Sequence, residues 1–151
     1  MKKSACAFTL VEILVVLAII SMLIGLLVTG GTRAKRTAKQ FTAQTMIASL
    51  ETALALYHTD FGAYPDSGID NLVDLLTDSA VYGSYSAWQG PYISLKEKDV
   101  SGSFPNKSVI DPWGAAYHYT LEATPPPAYK IWSSGPNGTD ESGGGDDIKS
   151  W

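Results

Sequence analysis

Hydrophobic residues fall into two different patterns along this chain. From Phe8 to Val28 they are nearly continuous, FTLVEILVVLAIISMLIGLLV, and Glu12 is the one ionisable side chain. At ~1.5 Å of rise per residue the run extends roughly 30 Å as a helix, one bilayer hydrocarbon thickness. Leu, Ile and Val occupy every side, so no polar face is left for water. The run predicts a membrane span over 8–28. Beyond Thr32 the pattern becomes periodic. Ile47, Leu50, Leu54, Tyr57 and Phe61 recur at alternating steps of three and four, which marks one buried stripe of a helix reaching about Thr59. Ala43, Ala48, Ala53 and Ala55 favour helix and permit close approach. Between the two patterns lies Thr29-Gly30-Gly31-Thr32, where each glycine weakens helix propensity by ~1 kcal/mol. A hinge is expected there.

The remainder reads as short elements punctuated by turns. Gly62 suits a helix C-cap and Pro65 prevents resumption. Ser67-Gly68-Ile69-Asp70 reads as a capping box opening a short helix buried through Leu72, Val73, Leu75 and Leu76. Val81 to Asn106 is loop-like, with Trp88-Gln89-Gly90-Pro91-Tyr92-Ile93 turning aromatic weight onto the core and 96–99 as a solvated tip. Asp111-Pro112-Trp113-Gly114 is a tight turn, because Pro fixes φ and Gly closes it. It introduces a strand, Ala116–Leu121, whose Tyr117, Tyr119 and Leu121 share a face. A second strand, Tyr129–Ser133, returns after Thr124-Pro125-Pro126-Pro127. The expected class is α+β, a long helix against a small antiparallel sheet. His58 reads as an exposed helix-end residue and His118 as an exposed strand residue.

Composition narrows the function classes. The 151 residues, 45% hydrophobic and 17% charged, suit one domain plus one anchor. Net charge is −4; losing Lys2 and Lys3 with a leader would leave nine of the 11 basic residues against 15 acidic ones, a net −6. That argues against a nucleic-acid-binding surface. Cys6, the single cysteine, precedes the span, so no disulfide or thiolate chemistry is expected in the mature protein. No nucleophile–base pair or phosphate loop is visible, and the two histidines are isolated, so no enzyme is expected. Topology is contested by charge: Arg33, Lys35, Arg36 and Lys39 closely follow the span, and a positive-inside count would put the domain in the cytoplasm.

Glu12 carries the sharpest chemistry of the N-terminal half, because a carboxylate in a bilayer span is costly unless paired. The preceding Met1 to Ala7, MKKSACA, is a short basic leader ending in a small residue. A cut between Ala7 and Phe8 would create an ammonium about one helical turn from Glu12. Offset helices could then pair one chain's Phe8 amine with another's Glu12, an interaction strengthened by low dielectric. Ala7-Phe8-Thr9-Leu10-Val11-Glu12 followed by the apolar run resembles the class III leader and first helix of the type IV pilin-like family. The resemblance implies cleavage after Ala7 by a prepilin peptidase, N-methylation of Phe8 and a filament-assembly role for Glu12. It also places the leader in the cytoplasm and the domain outside, against the charge count. Ala7 departs from the Gly usual before the cut. The implied organisation is a leader at 1–7, a transmembrane helix at 8–28 and a pilin-like globular domain at 29–151.

The tail, SGPNGTDESGGGDDIKSW from Ser134 to Trp151, reads by composition as a flexible acidic loop. Ile148 and Trp151 are apolar anchors after it, and adjacent Asp146 and Asp147 would repel without a cation between them. A hard cation such as calcium takes six to eight oxygens, and a glycine-rich loop can turn carbonyls inward. No EF-hand spacing is present. The tail, with the Tyr57 to Pro65 segment and Asp111-Pro112-Trp113-Gly114, is similar to the major pseudopilins of type II secretion. By position, Asp146 and Asp147 match their acidic pair, Ser134 a backbone carbonyl donor, and Asn137 stands where an Asp is usual. Asp140 or Glu141 could substitute. The resemblance implies a calcium-binding, pilin-like subunit of the inner membrane that polymerises into a periplasmic pseudopilus driving protein export. Its implied partners are further copies, minor pseudopilins, an inner-membrane assembly platform with a cytoplasmic ATPase, and prepilin peptidase. A type IV pilus or DNA-uptake pilin is the nearer alternative, and a single-span sensor or binding protein the farther one.

Overall fold

The computed structural model describes residues 9–66, 69–78, 87–103, 106–122 and 129–151, with backbone alone at 26–30 and 69–71. Contacts divide the chain into two units, Met1–Ala38 and Lys39–Trp151. One helix, α1, runs Leu10–Phe61, 52 residues without interruption. The Thr29-Gly30-Gly31-Thr32 segment is helical like its neighbours, so no hinge opens in the single chain. The glycine penalty at each position is small beside a hydrogen-bonded ladder that continues on both sides.

From Leu10 on, the first unit is helix. Its apolar side chains are uncovered: Leu10, Leu14, Leu17, Met22 and Leu23 are among the most exposed in the molecule. Among the described residues no helix is long and apolar enough to cross a membrane. Side chains of the apolar run are described only as far as Gly25, which leaves Phe8 and 26–28 of the expected span outside that statement.

The second unit folds around the stripe of α1 that the sequence marks. Ala43, Ile47, Leu50, Ala53 and Leu54 are buried on one face. Tyr57 and Phe61 extend it by stacking at 4.5 Å. Full burial of each such aliphatic side chain contributes about 1.5–3 kcal/mol. The helix stops where Gly62 returns its N–H to the His58 carbonyl. His58 is half-buried against Tyr64, ring centroids 4.5 Å apart. A second helix, α2, covers Ile69–Thr77 and buries Leu72, Val73 and Leu76 as the periodicity predicts, while Leu75, also expected inside, is only half-buried. Ser67 and Gly68 of the expected capping box lie outside the described residues.

The loop expected from Val81 to Asn106 is described from 87, and part of it is not loop. Lys96 leads into a 3-10 turn, Glu97–Asp99, and then a two-residue strand β1, Val100–Ser101. β1 pairs antiparallel with β2, Ser108–Val109. Two-residue strands carry too little periodicity to be read from sequence. Tyr92 reaches the core as expected, lying edge-on to Tyr57 and donating its hydroxyl to Asp60 at 2.6 Å. Lys39 donates to the Pro112 carbonyl at 2.6 Å and lies 5.7 Å over the Trp113 ring, pinning the tight turn to α1.

The larger sheet has three strands in the order β3-β4-β5. β3, His118–Leu121, and β4, Tyr129–Ser133, form the expected hairpin, with Tyr119 opposite Ile131 and His118 opposite Trp132. Its connecting residues, 123–128, lie outside the described residues. Tyr117, Tyr119 and Ile131 face the α1 stripe and are buried. The Tyr119 hydroxyl donates to the Pro65 carbonyl at 2.8 Å, so the buried phenol is satisfied. The third strand, β5, Ile148–Lys149, comes from the acidic tail and pairs with the end of β4. The tail therefore packs down through Ile148, which is buried, and the loop 134–147 is closed at both ends by β4 and β5.

Candidate functional site

Two carboxylate-centred places stand out, one in each unit. At the start of α1, Thr9 and Glu12 form a capping box. The Thr9 N–H and hydroxyl donate to Glu12 Oε2 at 3.0 and 2.9 Å, and the Glu12 N–H returns to Thr9 Oγ1 at 3.3 Å. One residue thus satisfies free N–H groups of the first turn and occupies one oxygen of Glu12. The T-x-x-E spacing of Thr9 and Glu12 is a signal for this cap that the sequence carries inside the apolar run. Ala7 and Phe8, the expected cleavage and methylation positions, lie outside the described residues.

The second place is the loop between β4 and β5. Glu141, Asp146 and Asp147 bring ligand oxygens within 4.8 Å of one another. Backbone amides hold them: Asp147 Oδ2 accepts from Glu141 and Gly143 at 3.1 and 2.8 Å, and Asp146 Oδ2 accepts from Asn137 at 3.1 Å. Glu141 Oε2 in turn accepts from the Asp146 amide at 3.2 Å. The partner oxygens, Asp146 Oδ1 and Asp147 Oδ1, are buried and have no hydrogen-bond donor among the described residues. Buried unpaired carboxylate oxygens cost free energy, and the three converging negative charges repel. A hard cation resolves both problems, so the donor set fits calcium.

Glycines permit this closure at two points. Gly135, at φ 63°, sits so close to the Asp146 carbonyl that a Cβ would collide with it. Gly145, at φ 50°, leaves room for the Glu141 carboxylate that any side chain would fill.

The side chains of the other expected loop ligands make contacts of their own. Asn137 is exposed, and its Oδ1 accepts from the Thr139 amide at 2.6 Å. Ser134 is buried with its hydroxyl 3.0 Å from His118 Nε2. Asp140 turns to the outer face of the sheet, where Oδ1 accepts from Trp132 Nε1 at 2.8 Å and from the Ser142 amide at 2.9 Å. Those donors, the Trp132 one foremost, hold the Asp140 carboxyl below its usual value. Glu141, weighed only as a substitute from sequence, is the residue that joins Asp146 and Asp147. Glu141 is itself exposed, and its carboxylate reaches Asp146 and Asp147 because the turn at 142–145 brings Gly145 and the Asp146 amide beside it, a geometry no residue spacing announces.

His118 is not the exposed strand residue that the alternation implies. It is half-buried, stacked on Trp132 with centroids 5.0 Å apart, and its Nδ1 lies 3.8 Å from Asp140 Oδ2. Trp151 closes this outer cluster edge-on to Trp132 at 6.0 Å, with Lys130 and Lys149 over its ring. The polar-face positions of β3 and β4 thus carry a second, smaller aromatic core that ties the loop to the sheet.

Residues 32–151 match the family model described as type II secretion system (T2SS), protein G, and 2–28 match the prokaryotic N-terminal methylation motif. Relatives are similar over almost the whole chain. A type II secretion system core protein G of Escherichia coli K12 is 33% identical over 95% of this chain and 89% of its own. Proteins with that description from Aeromonas hydrophila and Pseudomonas aeruginosa are 32% and 30% identical, over 99% of this chain and 94% and 97% of theirs.

Proposed function

The chain belongs to the type II secretion system protein G family, and we propose that it builds the pseudopilus as a single-span, calcium-binding major subunit. It is a pseudopilus subunit of type II secretion, a structural component of a multi-subunit export machine. The observation that carries the finer reading is the uncovered apolar surface from Leu10 to Ile24, headed by Glu12. No described residue of its own unit buries that surface. Lipid would cover it before assembly, and other copies of the same helix within the filament.

In this reading prepilin peptidase cuts after Ala7 and methylates the Phe8 amine. Glu12 exchanges its local hold on Thr9 for the Phe8 ammonium of a neighbouring copy, which sets the axial offset of packed helices. The domain stands on the periplasmic side of the inner membrane. Minor pseudopilins, the assembly platform and its cytoplasmic ATPase complete the assembly. Glu141, Asp146 and Asp147 would hold calcium, with Ser134 offering its carbonyl and Asn137 flanking the site. Calcium, when bound, supplies the positive charge that neutralises the converging carboxylates. The chain's own residues do the rest: amides of 137, 141 and 143 fix the carboxylates, and Ile148 with Trp151 anchors the far end of the loop.

The test is the mass of the N-terminal peptide from membrane-extracted protein. A fragment beginning at Phe8 with one added methyl group is expected. An intact Met1 terminus would sink the processed-subunit reading.

A further inference from the structure

Acidic residues are absent from the chain between Glu12 and Glu51, and within that stretch Arg33, Lys35, Arg36 and Lys39 are the only charges. In a chain of net charge −4 these cations are segregated. Lys39 is engaged by the Pro112 carbonyl and the Trp113 ring. Arg33, Lys35 and Arg36 are exposed on α1, and none makes an ion pair or side-chain hydrogen bond among the described residues.

Position favours one kind of partner. With ~1.5 Å of rise per residue, Arg33 lies roughly 8 Å and Arg36 roughly 12 Å beyond Val28 along the helix. The headgroup layer occupies roughly 5–7 Å outside the hydrocarbon. Helical Cα–Cβ bonds tilt toward the N-terminus, here toward the apolar run, so these long side chains lean back over that layer. Their apolar stems can follow the helix while their charged ends stay in the polar zone. At 3.6 residues per turn the three fan over roughly 160° of the helix circumference, wider than one neighbouring helix would cover.

We infer that Arg33, Lys35 and Arg36 form a collar that binds anionic phospholipid headgroups at the membrane surface. The inference rests on the reading of 8–28 as a membrane span. The collar holds the unassembled subunit at a fixed depth, and entry into the filament requires those headgroups to be released. It also accounts for a cation cluster on the side of the membrane that the positive-inside tendency disfavours.

The experiment uses the full chain with K2Q/K3Q, so that leader cations do not contribute, in vesicles of equal parts phosphatidylglycerol and phosphatidylcholine. Flotation first reports whether the chain is embedded. Spin-labelled analogues of each lipid then report which one lies against the protein. Phosphatidylglycerol should be favoured about fivefold, and about 1 M salt should remove the preference. R33Q/K35Q/R36Q should bring it near parity, whereas R33K/R36K should keep it. A chain that floats with equal preference in both forms overturns the collar while leaving the span intact. If the same neutral variant also fails to form filaments, the partner of these cations is an acidic face of a neighbouring copy. A chain that does not float removes the span and the collar together.

Discussion

Glu12 and the Asp146–Asp147 pair are carboxylates that the sequence sets in wait for a cation, yet their surroundings differ. Glu12 is exposed and held by Thr9, a partner three residues away that can be exchanged without unfolding anything. Asp146 and Asp147 are held through one oxygen each by backbone amides, while the other oxygen is buried and unsatisfied. The first arrangement suits a contact made late, between subunits. The second suits a contact made as the domain folds. A satisfied carboxylate waits at little cost; an orphaned one strains its loop until a cation arrives.

The comparison breaks most severely at Glu12→Leu. Removing one partner of a low-dielectric ion pair costs about 3–5 kcal/mol, so filament formation should fall on the order of 100-fold or more. Thermal unfolding of the domain should stay unchanged, because Glu12 belongs to the first unit and its carboxylate is held there by Thr9. A Glu12→Leu chain that assembles normally would remove the assembly role.

Calcium should act in the opposite way, on the domain first. At about 100 times its dissociation constant it should stabilise by about 2.7 kcal/mol and raise Tm on the order of 10 °C. Asp147→Asn should abolish that rise while Tm without calcium holds or rises slightly, because the Asn oxygen can still accept from the Glu141 and Gly143 amides and one of the repelling charges is gone. An unchanged Tm with calcium or chelator would mean that the three carboxylates hold no metal. Gly145→Ala is milder. Left-handed backbone costs a non-glycine residue about 1–2 kcal/mol, and the added methyl displaces Glu141. Calcium affinity measured by calorimetry should weaken while the sheet persists.

Thr9→Ala separates the carboxylate from part of its cap. Losing the hydroxyl costs about 1 kcal/mol and frays the first turn, but loosens the local hold on Glu12, which keeps only the backbone N–H of residue 9. Filament yield should hold or rise in an assembly assay. A collapse as deep as that of Glu12→Leu would show that Thr9 and Glu12 act as one unit rather than as a carboxylate and its placeholder.

Legibility followed the reach of each interaction. The α1 stripe, the Gly62 stop, the tight turn at 111–114 and the β3–β4 hairpin are local patterns of burial and turn chemistry, and each lies where the residues place it. β5 was visible only as two apolar anchors, since a two-residue strand has no period of its own. The half-burial of His118 was hidden because its cover comes from Trp132 and from a loop that returns to the sheet. Alternation says which face a side chain points to, not what later lies over that face. The part of Glu141 depends on a turn rather than on spacing: positive φ at Gly143 and Gly145 brings the Asp146–Asp147 pair back to it.

The smallest expected effect lies away from both carboxylate sites, and it sharpens the comparison by serving as its control. Burial pushes the Tyr129 hydroxyl up to about 12, with the Glu51 carboxylate adding to the rise. Tyr92 is likewise raised to about 12, by burial and by its bond to Asp60. An unfolded tyrosine ionises near 10, so above that pH the unfolded chain gives up phenol protons that the folded one keeps. The stability from these neutral phenols is complete below pH 10 and drains away as pH rises through about 12. Phenolate absorbance should therefore lag in the folded chain and catch up as it unfolds. Calcium bound at the loop should raise the unfolding pH without changing the phenols' order of ionisation. Early ionisation of Tyr129 near pH 10 would mean that the ring is not packed against Tyr64 and Tyr119 as the sheet places it.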